Sequence, residues 1–199
     1  MSTKPQIVKC VLLGSSGVGK SSIIYRYVTN GWDENVQATL GAAFMDKQVT
    51  FKGQLFKFQI WDTAGQEKYA PLAQMYYKDA TVALLVYDIT SKESFNNLKM
   101  WQTQLEEKGP KNVILTVLGN KYDLVSESEV SSTEGEAFAK GANAQFYKTS
   151  AKENVGVHEA FEAICEELYK RMNDSMSSSD SSRKRLGTNV GGKSDKKCC

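Results

Sequence analysis

Four short stretches of this chain place chemically useful residues at spacings that suit phosphate and base recognition. "GSSGVGKS" (14–21) fits G-x-x-x-x-G-K-[ST] between an apolar run and a helical pattern. Gly14, Gly17 and Gly19 let the backbone wrap phosphate oxygens with N–H groups, and Ser15, Ser16, Val18 and Ser22 complete the lining. The helix N-terminus behind the loop adds partial positive charge. Lys20 supplies a point charge to the terminal phosphates, and the Ser21 hydroxyl is suited to Mg²⁺. A glycine-rich turn without a ligand is the plain alternative. Glycines, Lys and Ser in register with strand and helix weigh against it. "WDTAGQE" (61–67) follows, with Asp62 for the Mg²⁺ shell and Gly65 to leave its N–H open to a terminal phosphate. Gln66 is both donor and acceptor and can orient a water for in-line attack, so Gln66 and Lys20 are the catalytic candidates. By itself D-x-x-G is usually only a turn. Its place after a phosphate loop gives it weight.

"GNKYD" (119–123) and "TSAK" (149–152) close two further apolar runs. The Asp123 carboxylate only accepts, and guanine offers it two donors on one edge, which adenine lacks in that arrangement. A site that strands a buried polar group discriminates by roughly 10⁴–10⁵. Asn120 would tie the loops together, and the Lys121 stem would cover one base face. The Ala151 N–H suits the guanine carbonyl, with Ser150 and Lys152 beside it. The expected ligands are GTP and GDP.

The elements that must carry these stretches are legible. "IVKCVLLG" (7–14), "ATVALLVYD" (80–88), "NVILTVLGN" (112–120) and "AQFYKTS" (144–150) read as strands covered on both faces. Residues 46–62 alternate around Lys52-Gly53 and read as an antiparallel hairpin. Helical spacing covers 19–29, 92–107, 133–141 after the capping pattern Ser131-x-x-Glu134, and 156–171. The expected fold class is α/β: a three-layer P-loop NTPase fold with helices on both faces of a six-stranded, mostly parallel sheet that has one antiparallel edge strand. The expected division is a globular unit over 1–172 and a tail over 173–199. The tail is rich in Ser, Gly and charge, and disorder is expected of it.

Composition narrows the class. The net charge of 199 residues is +2, but 171–199 hold seven Lys/Arg against three Asp. A near-neutral body excludes a nucleic-acid binder of the usual basic kind, whereas a basic tail suits an anionic membrane surface. Cysteines occur only at 10, 165, 198 and 199, a scatter without a disulfide framework or zinc spacing. "MSTKPQIVKC" has no apolar block, so no signal peptide is expected. The single histidine, His158, falls in the last helical pattern, away from the four stretches, and reads as a surface or satisfied side chain.

Over residues 7 to about 172 the order of motifs resembles the Ras-like small GTPases. The resemblance implies that Thr39, in "WDENVQATLGAAF" (32–44), joins Ser21 and Asp62 as a metal ligand, and that Trp32 stacks near the guanine. Residue chemistry alone makes Thr39 an ordinary loop threonine. "LGAAF", "FQIWDTAGQEKYAPL", "YYKDA" and "LVYDIT" are similar to segments that mark the Rab subfamily, with Ala42-Ala43 as in its early-endosomal branch. Phe44, Trp61 and Tyr76 match that family's aromatic triad, which reads nucleotide state to effectors. Core packing is an equal reading of Trp61 and Tyr76. Two departures, Lys78-Asp79 for the family's Arg-Gly and Lys68 for Arg, lie near the effector face.

The resemblance implies a monomeric catalytic unit that works with an exchange factor, a GTPase-activating protein and a GDP-dissociation inhibitor or escort protein. It implies geranylgeranylation of Cys198 and Cys199, membrane attachment at the cytoplasmic face of early endosomes, and a cytosolic GDP-bound pool. The arginines are Arg26, Arg171, Arg183 and Arg185, none within 32–44. Unassisted hydrolysis is therefore expected on the order of 10⁻⁴–10⁻³ s⁻¹, with an activator supplying an arginine. Two other readings differ in class. A nucleotide-locked scaffold without turnover would have little use for Gln66, Thr39 and Lys20, and a phosphotransferase kinase would have none for N-K-x-D.

Overall fold

The computed structural model describes residues 4–34, 37, 39, 41–65 and 75–183, with side chains to 175. Six strands form one sheet: β1 (Gln6–Leu13), β2 (Ala42–Phe51), β3 (Gln54–Thr63), β4 (Val82–Asp88), β5 (Ile114–Asn120) and β6 (Gln145–Lys148). Their order is β2-β3-β1-β4-β5-β6. Only β2 runs antiparallel, paired to β3, while β3, β1, β4, β5 and β6 are mutually parallel. This is the expected α/β architecture.

Period-two alternation divides the core between the two faces of the sheet. Along β1, Val8, Cys10 and Leu12 face one cluster with α1 (Lys20–Thr29) and the last helix. Val11 and Leu13 face the other. That second cluster is closed by Leu98, Trp101 and Leu105 and by Ala139. These lie on α3 (Leu98–Lys108) and α4 (Ser132–Gly141), which follow the short α2 (Lys92–Asn96). The turn between β2 and β3 has φ of 48° at Lys52 and 79° at Gly53, the positive pair of a two-residue hairpin.

The expected elements depart most from the structure at three places. β2 begins at Ala42 rather than at 46, which brings the pairing as far as Ala42 opposite Thr63. The helix expected over 92–107 is interrupted at Asn97, which stays in the right-handed helical region and opens the second segment. The last helix, α5 (Val157–Arg183), continues past 172. Disorder from 173 onward is thus corrected over 173–183. "NDSMSSSDSSR" contains no Gly or Pro, and Ser and Asp are middling helix formers rather than breakers. Residues 184–199 lie outside the described residues.

Candidate functional site

The phosphate loop runs from the end of β1 to the start of α1. Lys20 is only 5% exposed. Its Nζ turns back over the loop and donates to the carbonyl oxygens of Gly14 and Ser15, each at 2.8 Å. At Gly19 φ is 95°, and a Cβ would stand 2.4 Å from Nδ2 of Asn120. Phosphate loop and base loop therefore touch directly. Asn120 Nδ2 donates to the Val18 carbonyl at 2.8 Å, and its Oδ1 accepts from Thr149 Oγ1 at 3.1 Å. One buried amide thus joins the ends of β1, β5 and β6.

At the end of β3, Asp62 is buried beside α1. Ser21 Oγ donates to Asp62 Oδ2 at 2.5 Å. Thr39 Oγ1 donates to the same oxygen at 2.8 Å and lies 2.9 Å from Ser21 Oγ. Asp62 Oδ1 is buried with no hydrogen-bond partner, a state that costs about 1–3 kcal/mol unless something completes it. Three oxygens from separate segments and one orphaned carboxylate oxygen suit a small, hard cation. Thr39, ordinary by chemistry alone, is placed in this group by the fold. Ser21, Thr39, Lys20 and Gly65 line one cleft of about 270 Å³ with Ser16, Gly17 and Gln37. Gly65 approaches so closely that a Cβ would lie 2.4 Å from Lys20 Nζ and from the Ser15 carbonyl carbon and oxygen.

A second cleft of about 330 Å³ shares Gly17, Gly19 and Ser22 with the first, and adds Trp32, Asn120, Lys121, Asp123, Ala151 and Lys152. Ser150 Oγ donates to Asp123 Oδ1 at 2.6 Å and accepts from Glu153 N at 3.0 Å, which sets the carboxylate's orientation. Lys121 adopts a left-handed φ of 63° and pairs with Asp88 Oδ2 at 2.7 Å. Its ammonium is tied down, so its stem stays along the cleft wall. Val18 is buried in the first core cluster and Ser150 stands behind Asp123, whereas the two joined clefts bring most of the expected nucleotide-binding residues into one site. Ser15 is buried beside them and accepts from Asn97 Nδ2 at 3.1 Å. The catalytic candidate Gln66 lies outside the described residues, as do Cys198 and Cys199.

Sequence reasoning missed Arg26 and Asp88. Arg26 donates from Nε to the Ala151 carbonyl at 2.7 Å and from Nη2 to the Lys152 carbonyl at 2.9 Å. Those partners are more than a hundred residues away, so no local pattern points to them. Asp88 closes the apolar run of β4, and its role comes from Lys121, a neighbour that only the pairing of β4 with β5 supplies.

The three aromatics meet on one surface. Phe44 and Trp61 ring centroids lie 5.1 Å apart, and Trp61 and Tyr76 lie 5.2 Å apart. Phe44 is 46% exposed. Trp61 and Tyr76 are half-buried against the second core cluster. Packing and presentation are both served. His158 belongs to neither cleft; its ring lies 5.8 Å from that of Tyr27, a member of the first core cluster.

Comparison with known proteins agrees with the geometry. A model of the Ras family matches residues 9–170. The chain is 45% identical over 154 residues to Ras-related protein Rab-22A of Homo sapiens, covering 77% of this chain and 79% of that protein. It is 44% identical over 161 residues to Ras-related protein Rab-31 of Rattus norvegicus, covering 81% and 83%. It is 42% identical over 167 residues to Ras-related protein RGP2 of Oryza sativa subsp. japonica, covering 84% and 77%. The family model over residues 9–170 and relatives of this similarity, together with two joined clefts on a mostly parallel sheet, place the chain in the Ras family as a Rab-type small GTPase.

Proposed function

We propose that this GTPase is a membrane-attached switch in vesicular traffic, acting at early endosomes, whose GTP form recruits effectors and whose GDP form releases them. Residues 1–172 form the GTPase unit and 173–199 the lipid-bearing tether. Ser21, Thr39 and Asp62 would hold Mg²⁺, which when bound neutralises charge on the phosphate oxygens. Lys20 binds the terminal phosphates, the Gly65 N–H orients the last of them, and Gln66 orients the attacking water. Asp123 and the Ala151 N–H select guanine. Phe44, Trp61 and Tyr76 form the effector face. An activator completes the site with an arginine, an exchange factor reloads it, and a GDP-dissociation inhibitor or escort protein carries the lipidated GDP form.

The observation that carries this reading is the meeting of Ser21, Thr39 and Asp62 oxygens within 2.5–2.9 Å of one another. Thr39 belongs to a different segment from the other two, so a ligand that demands its hydroxyl also fixes the segment leading to the Phe44 face. Replacing Ser21 with Asn tests it. The larger amide disturbs the oxygen set needed most by a triphosphate, so the ratio of GTP to GDP affinity should fall at least roughly ten-fold, the worth of one charge-assisted contact. Isothermal titration or competitive nucleotide exchange measures it. An unchanged ratio contradicts the metal role.

A further inference from the structure

We propose that Arg26 is a positioning residue that fixes the base-reading loop and ties it to the segment leading toward Thr39. The inference rests on the guanine-site reading above. Arg26 sits on α1, which starts at the phosphate loop, yet two of its contacts lie on the loop after β6. The residue is only 9% exposed. Nε and Nη2 reach the carbonyl oxygens of Ala151 and Lys152 at 2.7 and 2.9 Å, and Nη1 reaches that of Asn30 at 2.7 Å. One planar cation therefore fixes three backbone carbonyls, a geometry that a single ammonium cannot reproduce.

Each carbonyl belongs to a segment that matters for nucleotide. Ala151 and Lys152 are the residues of the base cleft contributed by the loop after β6. That loop is closed on itself by Ser150 N to the Val155 carbonyl at 2.9 Å and Val155 N to the Ser150 carbonyl at 3.0 Å. It can therefore be moved or held as a unit. Asn30 caps α1 in the left-handed region with φ 59°, and two residues later Trp32 enters the base cleft. Asn154 Nδ2 donates to Asn30 Oδ1 at 3.1 Å, a second link between the same two segments. The Ala151 N–H shares its peptide plane with the Ser150 carbonyl, which Val155 N holds, and Arg26 pins the next two carbonyls of the same turn, so the N–H is presented to the cleft in a fixed direction. No carboxylate among the described residues pairs with Arg26, so its charge is met by these carbonyls.

The test compares Arg26→Met, which keeps an apolar stem and loses every donor, with Arg26→Lys, which can reach one carbonyl at a time. GDP dissociation should speed up roughly ten-fold in Arg26→Met and by less in Arg26→Lys, as expected for losing charge-assisted hydrogen bonds that hold the loop. The ratio of GDP to ADP affinity should narrow by a similar factor. Only guanine presents a carbonyl to the Ala151 N–H, so a loosened loop costs GDP more than ADP. A general loss of structure would weaken both nucleotides alike. Unchanged GDP dissociation, or equal weakening of GDP and ADP, overturns the assignment. If Arg26→Met does not fold, Arg26→Lys is measured in the same two ways, and the same two outcomes overturn the assignment. Asp123→Asn, run alongside, should turn preference from guanine to xanthine nucleotides. If it keeps guanine, the base-site reading fails and this inference with it. A switched Asp123→Asn beside an unaltered Arg26→Met sinks the role of Arg26 alone.

Discussion

At the scale of single residues, the site is built from contacts that leave little room, and Gly65 is the sharpest case. A Cβ there would sit 2.4 Å from Lys20 Nζ and from the Ser15 carbonyl. The ammonium can swing aside, but the Ser15 backbone cannot do so cheaply. Gly65→Ala should therefore push the end of β3 away from the phosphate loop, at an overpacking cost of about 1–3 kcal/mol. It also withdraws an N–H proposed to serve only the terminal phosphate, so GTP should lose affinity relative to GDP, roughly ten-fold. Thermal unfolding and paired nucleotide titrations measure the two effects, and an alanine variant with wild-type values in both would show that the close approach has no consequence. Residues of this kind were readable in the sequence because their motif partners are local: Lys20 and Ser21 follow their own glycines. Arg26 was not, and Thr39 was reached only through the family resemblance, because what defines them is an oxygen or a carbonyl brought from a distant segment.

At the scale of elements, short local rules did well where the interactions are local. The Ser131–Glu134 capping box exists as the spacing predicts, with Glu134 Oε2 accepting from Ser131 N at 2.9 Å and Ser131 Oγ at 2.8 Å. Lys92 at the start of α2 also donates to Glu134, so this cap links two helices. The Lys92 hydrogen bond first, and then the bonds from Ser131, pull the Glu134 carboxyl down to about 2. A carboxyl lowered on folding stabilises the native state above its ordinary value near 4.5, and that support is lost as pH falls toward 2. The melting-temperature difference between wild type and Glu134→Gln should accordingly be constant at neutral pH, shrink below pH about 4.5 and vanish near 2. Added salt should diminish it, since the pair is exposed. A difference independent of pH would mean that the charge is irrelevant to the cap. The parallel strands were legible for a related reason: β4 is buried at every residue, and such strands read as continuous apolar runs. The break at Asn97 was not legible, because its side chain is spent on Ser15 in another part of the chain.

At the scale of the whole molecule, the body and the end of the chain have separate physics. The residues proposed to hold nucleotide all lie within 14–152. Among the residues of α5 whose side chains are described, Met172 is the last packed against a core cluster, and 173–175 are exposed. Among the described residues no helix is long and apolar enough to cross a membrane. The attachment proposed above is through the basic tail, with Lys193, Lys196 and Lys197 ahead of Cys198 and Cys199. Basic residues near an anionic leaflet contribute roughly 1 kcal/mol each, an attraction that salt weakens. One lipid chain holds only marginally, and two hold stably. Cys198→Ser combined with Cys199→Ser should therefore move the protein from the membrane pellet to the soluble fraction of cells, while GTP affinity of the purified protein stays at the wild-type value. Either single replacement should leave a partial, salt-sensitive membrane fraction, because one chain plus the charges remains. A double variant that pellets like wild type would show that the anchor lies elsewhere, and a double variant with altered GTP affinity would show that the tail reaches the nucleotide site.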